Sequence, residues 1–218
     1  MTNASLYPLK CVLFYLIFSN LPTQEVHGQN IIMNGGFETG TPGASSLPRY
    51  WYNCGSKGYT PPNLHSSKLE SNIFDVKTIA FEGHQFVSLV VRKDQSLECI
   101  GQRLKSILQK DSMYSLDLQL NLSETFNSRT DLNSKNETSF SMAADLEIYA
   151  INTSGQYILL DVYTDINNQT WRNYNTTFKA SENFVALEFR TYFQFDQLLP
   201  YNGHLLIDQV RLCRIDIL

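Results

Sequence analysis

The stretch Tyr114–Leu122 alternates without a break. Tyr114, Leu116, Leu118, Leu120 and Leu122 fall on one face, and Ser115, Asp117, Gln119 and Asn121 on the other. A half-buried strand requires a period of two, and a helix, with its period of about 3.6, cannot produce it. The pattern returns at Asp145–Ile151, with Leu146, Ile148 and Ala150 inward. It returns again at Val185–Phe193, where Glu188, Arg190, Tyr192 and Gln194 oppose the apolar row. Further strands are predicted at Asn30–Met33, Phe86–Arg92, Leu97–Leu104 and Tyr157–Tyr163, and at Thr170–Ala180, which carries Trp171, Tyr174 and Phe178. No segment reads as a convincing amphipathic helix. The fold class is therefore all-β, a two-sheet antiparallel β-sandwich.

The last of these strands carries a chemical problem. Asn202–Leu212 reads N-G-H-L-L-I-D-Q-V-R-L, a turn signal followed by a strand. Simple alternation points Leu206, Asp208, Val210 and Leu212 the same way. A carboxylate in an apolar row is costly unless it is paired or bound to a metal. Asp208 could sit at a bulge, or pair with Arg211 or Arg214. It could also share a cation with Glu38 of the early N-G-G-F-E stretch, Asn34–Glu38. Two hard oxygen ligands suit Ca²⁺, which takes ~6–8 oxygens.

A chain of 218 residues with 43% hydrophobic content suffices for one β-rich domain or at most two small ones. Its formal net charge is −4 and its 17 Lys and Arg are scattered, which argues against a nucleic-acid partner. No run reaches the ~18 apolar residues of a membrane helix. Residues 1–28 read as a secretory signal. Lys10 precedes the apolar run Cys11–Phe18, and Val26-His27-Gly28 offers a cleavage site before Gln29. The alternative is a buried amino-terminal element. The signal reading leaves 29–218 as a single sandwich domain, bound for secretion, the periplasm or the cell surface.

Export permits disulfides, and Cys54, Cys99 and Cys213 remain after the signal. One bridge and one free thiol is the simplest count, with the pairing open; three reduced thiols is the alternative. Gly40–Pro48 and Asn53–His65 read as long loops, the second with a cysteine to tie it down. The polar stretch Ser123–Ser139 reads as a loop. After the predicted signal, five sequons begin at Asn121, Asn136, Asn152, Asn168 and Asn175.

The outward rows are unusual. Asp117 and Gln119, Glu147 and Tyr149, and Glu188, Arg190 and Tyr192, with Trp171, would give a hydrogen-bonding sheet face with aromatic rings set into it. Sugars present hydroxyls at the ring edge and C–H bonds on the ring faces, so such a surface suits a glycan or a cell-surface polysaccharide. An ordinary solvated sheet face is the alternative, and another surface protein is the alternative partner.

The ordered motifs N-G-G-F-E, Trp51 after a Pro-containing loop, Gly83 before a strand and Gly203–Val210 resemble the galactose-binding-like jelly rolls, which include many carbohydrate-binding modules. The pieces Gly58–Leu64, Gly83–Leu89 and Ile100–Leu104 also resemble secreted proteins of Bacteroidetes type. The resemblance covers most of the mature chain. It implies a two-sheet jelly roll with first and last strands adjacent, and a structural Ca²⁺ held by Glu38 and Asp208. The family's Pro-Asp reads Pro61-Pro62-Asn63 here, so no acidic role carries over at that point.

Catalytic signatures are missing. His65, His84 and His204 are predicted in or beside loops, and no metal-ligand, nucleophile-elbow or phosphate-loop pattern occurs. Glu147 and Glu188 would serve glycosidic hydrolysis only if they faced each other across a cleft, at ~5–5.5 Å or ~6.5–9.5 Å. The expectation is a non-catalytic binding protein.

Overall fold

The computed structural model describes residues 28–57, 61–68, 73–129, 137–194 and 199–215. Residues 1–27 of the predicted signal, 1–28, and the sequon at Asn136 lie outside them. Strands β1 (Tyr52–Asn53), β2 (Asn63–Ser66), β3 (Gln85–Val91), β4 (Cys99–Leu108) and β5 (Met113–Asn121) lead into a hairpin. The hairpin is β6 (Asn127–Arg129) with β7 (Glu137–Ser139). Then follow β8 (Met142–Ala143), β9 (Asp145–Asn152), β10 (Tyr157–Tyr163), β11 (Arg172–Lys179), β12 (Phe184–Tyr192) and β13 (Gly203–Ile215).

Two sheets face each other, one ordered β1-β4-β12-β9-β10 and the other β11-β5-β13-β3-β2. Every pairing within these orders is antiparallel, and β8 adds a short parallel contact to β13. The alternating rows supply the shared core. Leu116, Leu118 and Leu120 from one sheet and Ile148, Leu187 and Phe189 from the other are fully buried. Truncating any one of the leucines to Ala would cost about 2–5 kcal/mol.

The amino-terminal run Asn30–Met33 is not a strand. Its hydrogen bonds are divided between the two sheets, so it joins neither ladder. Ile31 N–H donates to Leu212 O at 2.8 Å, and Lys105 N–H donates to Ile31 O at 3.3 Å. The backbone of Met33 exchanges two 2.7 Å bonds with the buried side chain of Gln102. The run is a strap that closes the edge between the sheets. It brings the amino end to β13 without forming the adjacent first strand that the resemblance implied.

Strand β13 also departs from simple alternation. Asp208 opposes Gln119 but Arg211 opposes Asp117, so one extra residue is inserted. Gln209 takes a φ of 49° and Val210 N–H turns to Gly35 O at 2.9 Å. Leu205 and Ile207 face the core before this bulge, and Val210 and Leu212 after it. Leu206 and Asp208 consequently lie on the opposite, outer face. The predicted common row of Leu206, Asp208, Val210 and Leu212 is broken in the middle.

That outer face carries a second, smaller core. Phe86, Val90 and Leu206 pack with Phe126 and Phe140, and Trp171 lies against them. The stretch Ser123–Ser139, read as a polar loop, thus carries the buried Phe126, is followed at once by the buried Phe140, and contributes the paired strands β6 and β7; residues 130–136 lie outside the described ones. Below the hairpin, Ser123 N–H donates to His204 Nε2 at 3.0 Å, leaving Nδ1 to donate to Phe140 O at 2.6 Å. His65 Nε2 lies 2.9 Å from Ser88 Oγ. Burial pulls His65 down to about 3 and His204 to about 4. Both are strand residues in a satisfied interior, not the loop groups that their neighbouring turns suggested.

Candidate functional site

The outer face of the β1-β4-β12-β9-β10 sheet is built around Arg190. On β12 it opposes Cys99 of β4 and Glu147 of β9, and two residues earlier Glu188 opposes Gly101 and Tyr149. Glu188 is only 2% exposed. It accepts from Arg190 Nη2 at 3.2 Å and from the Tyr52 hydroxyl at 3.2 Å. Tyr52 reaches it by lying across Gly101, where a Cβ would come within 2.6 Å of the ring. Burial, and then the neighbouring Glu188 charge, push the Tyr52 phenol above its ordinary range.

The Arg190 guanidinium lies 4.9 Å from the Tyr149 ring centre and 5.7 Å from that of Tyr157, a double cation–π contact. Tyr149 in turn donates to Glu147 Oε2 at 3.0 Å, and its phenol is raised by burial and by that bond. Tyr157 and Tyr192 are each about half exposed at 52% and 48%. A hollow of 260 Å³ beside Arg190 is lined by Cys54, Gly55, Ser56, Leu97 and Cys99. Its rim is fixed by the Cys54–Cys99 disulfide, with Cys213 left as a buried thiol. The face therefore offers a fixed guanidinium, the Glu147 carboxylate and exposed aromatic rings, with Glu188 buried beneath as the anchor.

Of the eight residues expected on one ligand face, the structure unites five: Glu147, Tyr149, Glu188, Arg190 and Tyr192. Asp117 and Gln119 belong to β5, in the other sheet, and lie on the far side of the sandwich. Trp171 is not on the Arg190 face either; it lies on the outer side of the other sheet. Its indole packs on Phe86 at 5.7 Å and donates to Ile79 O at 2.7 Å, so it holds a loop against the second core. The separation follows from sheet membership, which alternation along a strand does not encode. Tyr52 and Tyr157 were missed as site residues. Tyr157 was legible as the first outward position of β10, whereas Tyr52 is placed by the disulfide-tied turn beside it.

Glu147 and Glu188 lie side by side on adjacent strands of one face, not across a cleft. The group Cys54, Cys99 and Glu188 brings three ligand atoms within 4.8 Å. Its sulfurs are bonded to each other, so it offers no thiolate to a metal.

At the junction of β13 with the amino-terminal strap, Asp208 is completely buried. Its Oδ2 accepts from the amides of Phe81 and Glu82 at 2.9 and 3.3 Å, and its Oδ1 from Gln209 N–H at 2.7 Å. Glu38 Oε1 accepts from the next amides of the same segment, His84 and Gln85, both at 2.7 Å. Burial pushes Asp208 up to about 7 against the pull of its amides, and the Glu38 charge adds to the rise. Arg211 does not neutralise it, since that side chain is exposed and donates to Cys213 Sγ. Among the described residues no ion pair reaches either carboxylate. Gln85 Oε1 is a further buried acceptor without a donor among them. Hard oxygens with a surplus of negative charge fit a divalent cation such as Ca²⁺.

No protein-family model matches the chain, and no curated protein matches it significantly. Solved structures match its fold. The enzymatically active domain of bacteriophage CBA120 tailspike protein 4 superposes with a TM-score of 0.50 at 11% identity, over 85% of this chain and 21% of the tailspike. The arabinose-bound MgGH51 α-L-arabinofuranosidase gives 0.51 at 10% identity, over 88% and 27%. The CBM22-1–CBM22-2 tandem domain of Paenibacillus barcinonensis Xyn10C gives 0.50 at 14% identity, over 87% and 47%. The chain thus spans less than half of each of these three. It has the β-sandwich fold of carbohydrate-binding modules.

Proposed function

We propose that this sandwich is an exported, non-catalytic protein that binds carbohydrate on the outer face of its β1-β4-β12-β9-β10 sheet. The observation that carries the reading is the Arg190 cluster. A guanidinium is stacked on two tyrosines and anchored by a buried carboxylate, so its donors are held in place before a ligand arrives. Arg190, Glu147 and the Tyr52 hydroxyl supply edge contacts for hydroxyls, and the exposed rings of Tyr157 and Tyr192 supply flat surfaces for C–H faces. The cysteine bridge agrees with an oxidising compartment. Among the described residues no helix is long and apolar enough to cross a membrane.

Glu38 and Asp208 would hold a structural Ca²⁺. When bound, the ion would neutralise the buried Asp208 together with the exposed Glu38 and tie the amino-terminal strap to β13. A second reading, a surface protein that recognises another protein, is favoured by one feature of the same face. Leu159 and Val162 of β10 are exposed beside Tyr157.

A glycan array probed with the folded mature chain, with and without chelator, tests the proposal. Binding to a polysaccharide class, removed by Arg190→Ala, is the expected result. Silence of well-folded protein across the array would favour the protein-partner reading.

A further inference from the structure

The far side of the sandwich holds a cleft of 390 Å³ that the Arg190 face does not use. Its floor is the outer row of three neighbouring strands: Asp117 and Gln119 from β5, Asn173 from β11, and Gln209 and Arg211 from β13. Its wall is the segment Phe81–Glu82, whose phenylalanine ring is 49% exposed. We propose that this cleft is a second binding site, for a neutral polyhydroxylated ring such as a single sugar unit.

The volume lies within the ~300–1,000 Å³ range of small-molecule sites. The lining also matches that ligand. A hydroxyl both donates and accepts, and three side-chain amides at Gln119, Asn173 and Gln209 offer both roles. Asp117 adds acceptors and Arg211 adds donors. Phe81 presents a flat apolar surface at the edge, where the C–H face of a ring would stack.

The parts are fixed in place. Asn175 donates to Asp117 Oδ1 at 2.7 Å and Ser115 to Oδ2 at 3.2 Å. Gln119 donates to Asn173 Oδ1 at 3.1 Å. The wall is pinned twice, by Trp171 through Ile79 O at 2.7 Å and by Asp208 through the amides of Phe81 and Glu82. The charges select the ligand. Glu82 and Asp117 oppose a single guanidinium, so an anionic sugar meets net repulsion that a neutral one does not.

This site is independent of the Arg190 face. A chain with both would bind sugars on two opposite sides and could join two glycan strands.

Amide-resolved NMR titration of the mature chain tests it, with methyl β-D-glucopyranoside, methyl β-D-xylopyranoside and sodium glucuronate as probes. The expected result is saturable shifts at Phe81, Glu82, Asp117, Gln119, Asn173 and Arg211 for a neutral probe. Phe81→Ala and Gln119→Leu should each weaken the binding ~10-fold, the scale of one lost contact. Arg190→Ala should leave these shifts unchanged. Both cleft residues are solvent-accessible, and unchanged core amide shifts would report that the variants fold. The cleft is overturned if none of the three probes moves its amides, or if the shifts survive both cleft substitutions. Tighter binding of glucuronate than of either glycoside would overturn the assignment of a neutral ligand. Shifts confined to Arg190, Tyr149 and Tyr157 would overturn this inference and leave the proposed function standing. Shifts confined to the cleft would do the reverse.

Discussion

Two of the buried carboxylates, Glu188 and Asp208, lie on opposite sheets, and their surroundings differ. Glu188 lies under Arg190 and Tyr52, so its charge is matched by a guanidinium and a phenol. Asp208 is equally withdrawn from water but meets only backbone amides, with a second carboxylate nearby. Amides satisfy lone pairs without supplying a full countercharge. The first acid is complete within the chain and organises a rigid surface; the second calls for a proton or a cation from outside.

The largest expected effect comes from removing the second acid. Asp208→Ala leaves three amides without acceptors and frees the 79–82 segment, which should cost about 3–5 kcal/mol in urea unfolding. Glu188→Gln keeps its hydrogen-bonding shape near a partly exposed Arg190 and should cost only about 1 kcal/mol. Equal losses would dissolve the contrast between the two acids.

The disulfide ranks next. Cys54 and Cys99 close a loop with a sequence separation of 45. Replacing both with Ser should cost about 2–4 kcal/mol. It should also loosen Tyr52 and with it the Arg190 cluster, since Cys99 Sγ lies 3.8 Å from Glu188. Unchanged Tyr52 amide exchange in the double variant would show that the bridge does not support that face.

Protonation sharpens the comparison further. The folded value of Asp208, about 7, lies above its ordinary 3.8. Between those values the native state keeps a proton that the unfolded chain has lost. Its contribution is therefore complete below pH ~4 and disappears as the pH rises to about 7. His65 and His204 act oppositely, because their folded values of about 3 and 4 lie below the ordinary 6.5. Their contribution is present above 6.5 and is lost as the pH falls. Subtracting the pH profile of Asp208→Asn from that of the wild type isolates the acid. The difference should decline from pH ~4 to ~7 in chelator and be restored by Ca²⁺ at pH 8. A flat difference, indifferent to Ca²⁺, would show that Asp208 needs no external cation.

A smaller, qualitative effect concerns modification. The sequon asparagines Asn121, Asn152 and Asn168 are buried, and Asn168 Nδ2 already donates to Leu120 O and Thr170 O at 2.8 Å. Expression in a glycosylating host should give folded protein without glycans there, while exposed Asn175 remains open to one. Mass spectrometry of tryptic peptides would decide it.

Much of the fold was legible because alternation fixes which side chains share a face of one strand. Tyr114–Leu122, Asp145–Ile151 and Val185–Phe193 all became core strands on that basis. The bulge at Gln209 was not legible as a register, since one inserted residue leaves no mark in composition. It still brought Asp208 to the region of Glu38, on the other face from the one that alternation implied. Phe126, inside the polar stretch Ser123–Ser139, and Phe140, just after it, went unread because two isolated aromatics have no period. The site was only half legible. Asp117 and Gln119 share the chemistry of Glu147 and Arg190, but hydrogen bonding across the chain, not local pattern, assigns β5 and β12 to different sheets.

The most direct measurement is calorimetric titration of the best glycan from the array into wild type and Arg190→Ala. The account predicts that the variant, still folded, loses at least ~10-fold in affinity, about 1.4 kcal/mol. An unchanged dissociation constant in folded Arg190→Ala would contradict it.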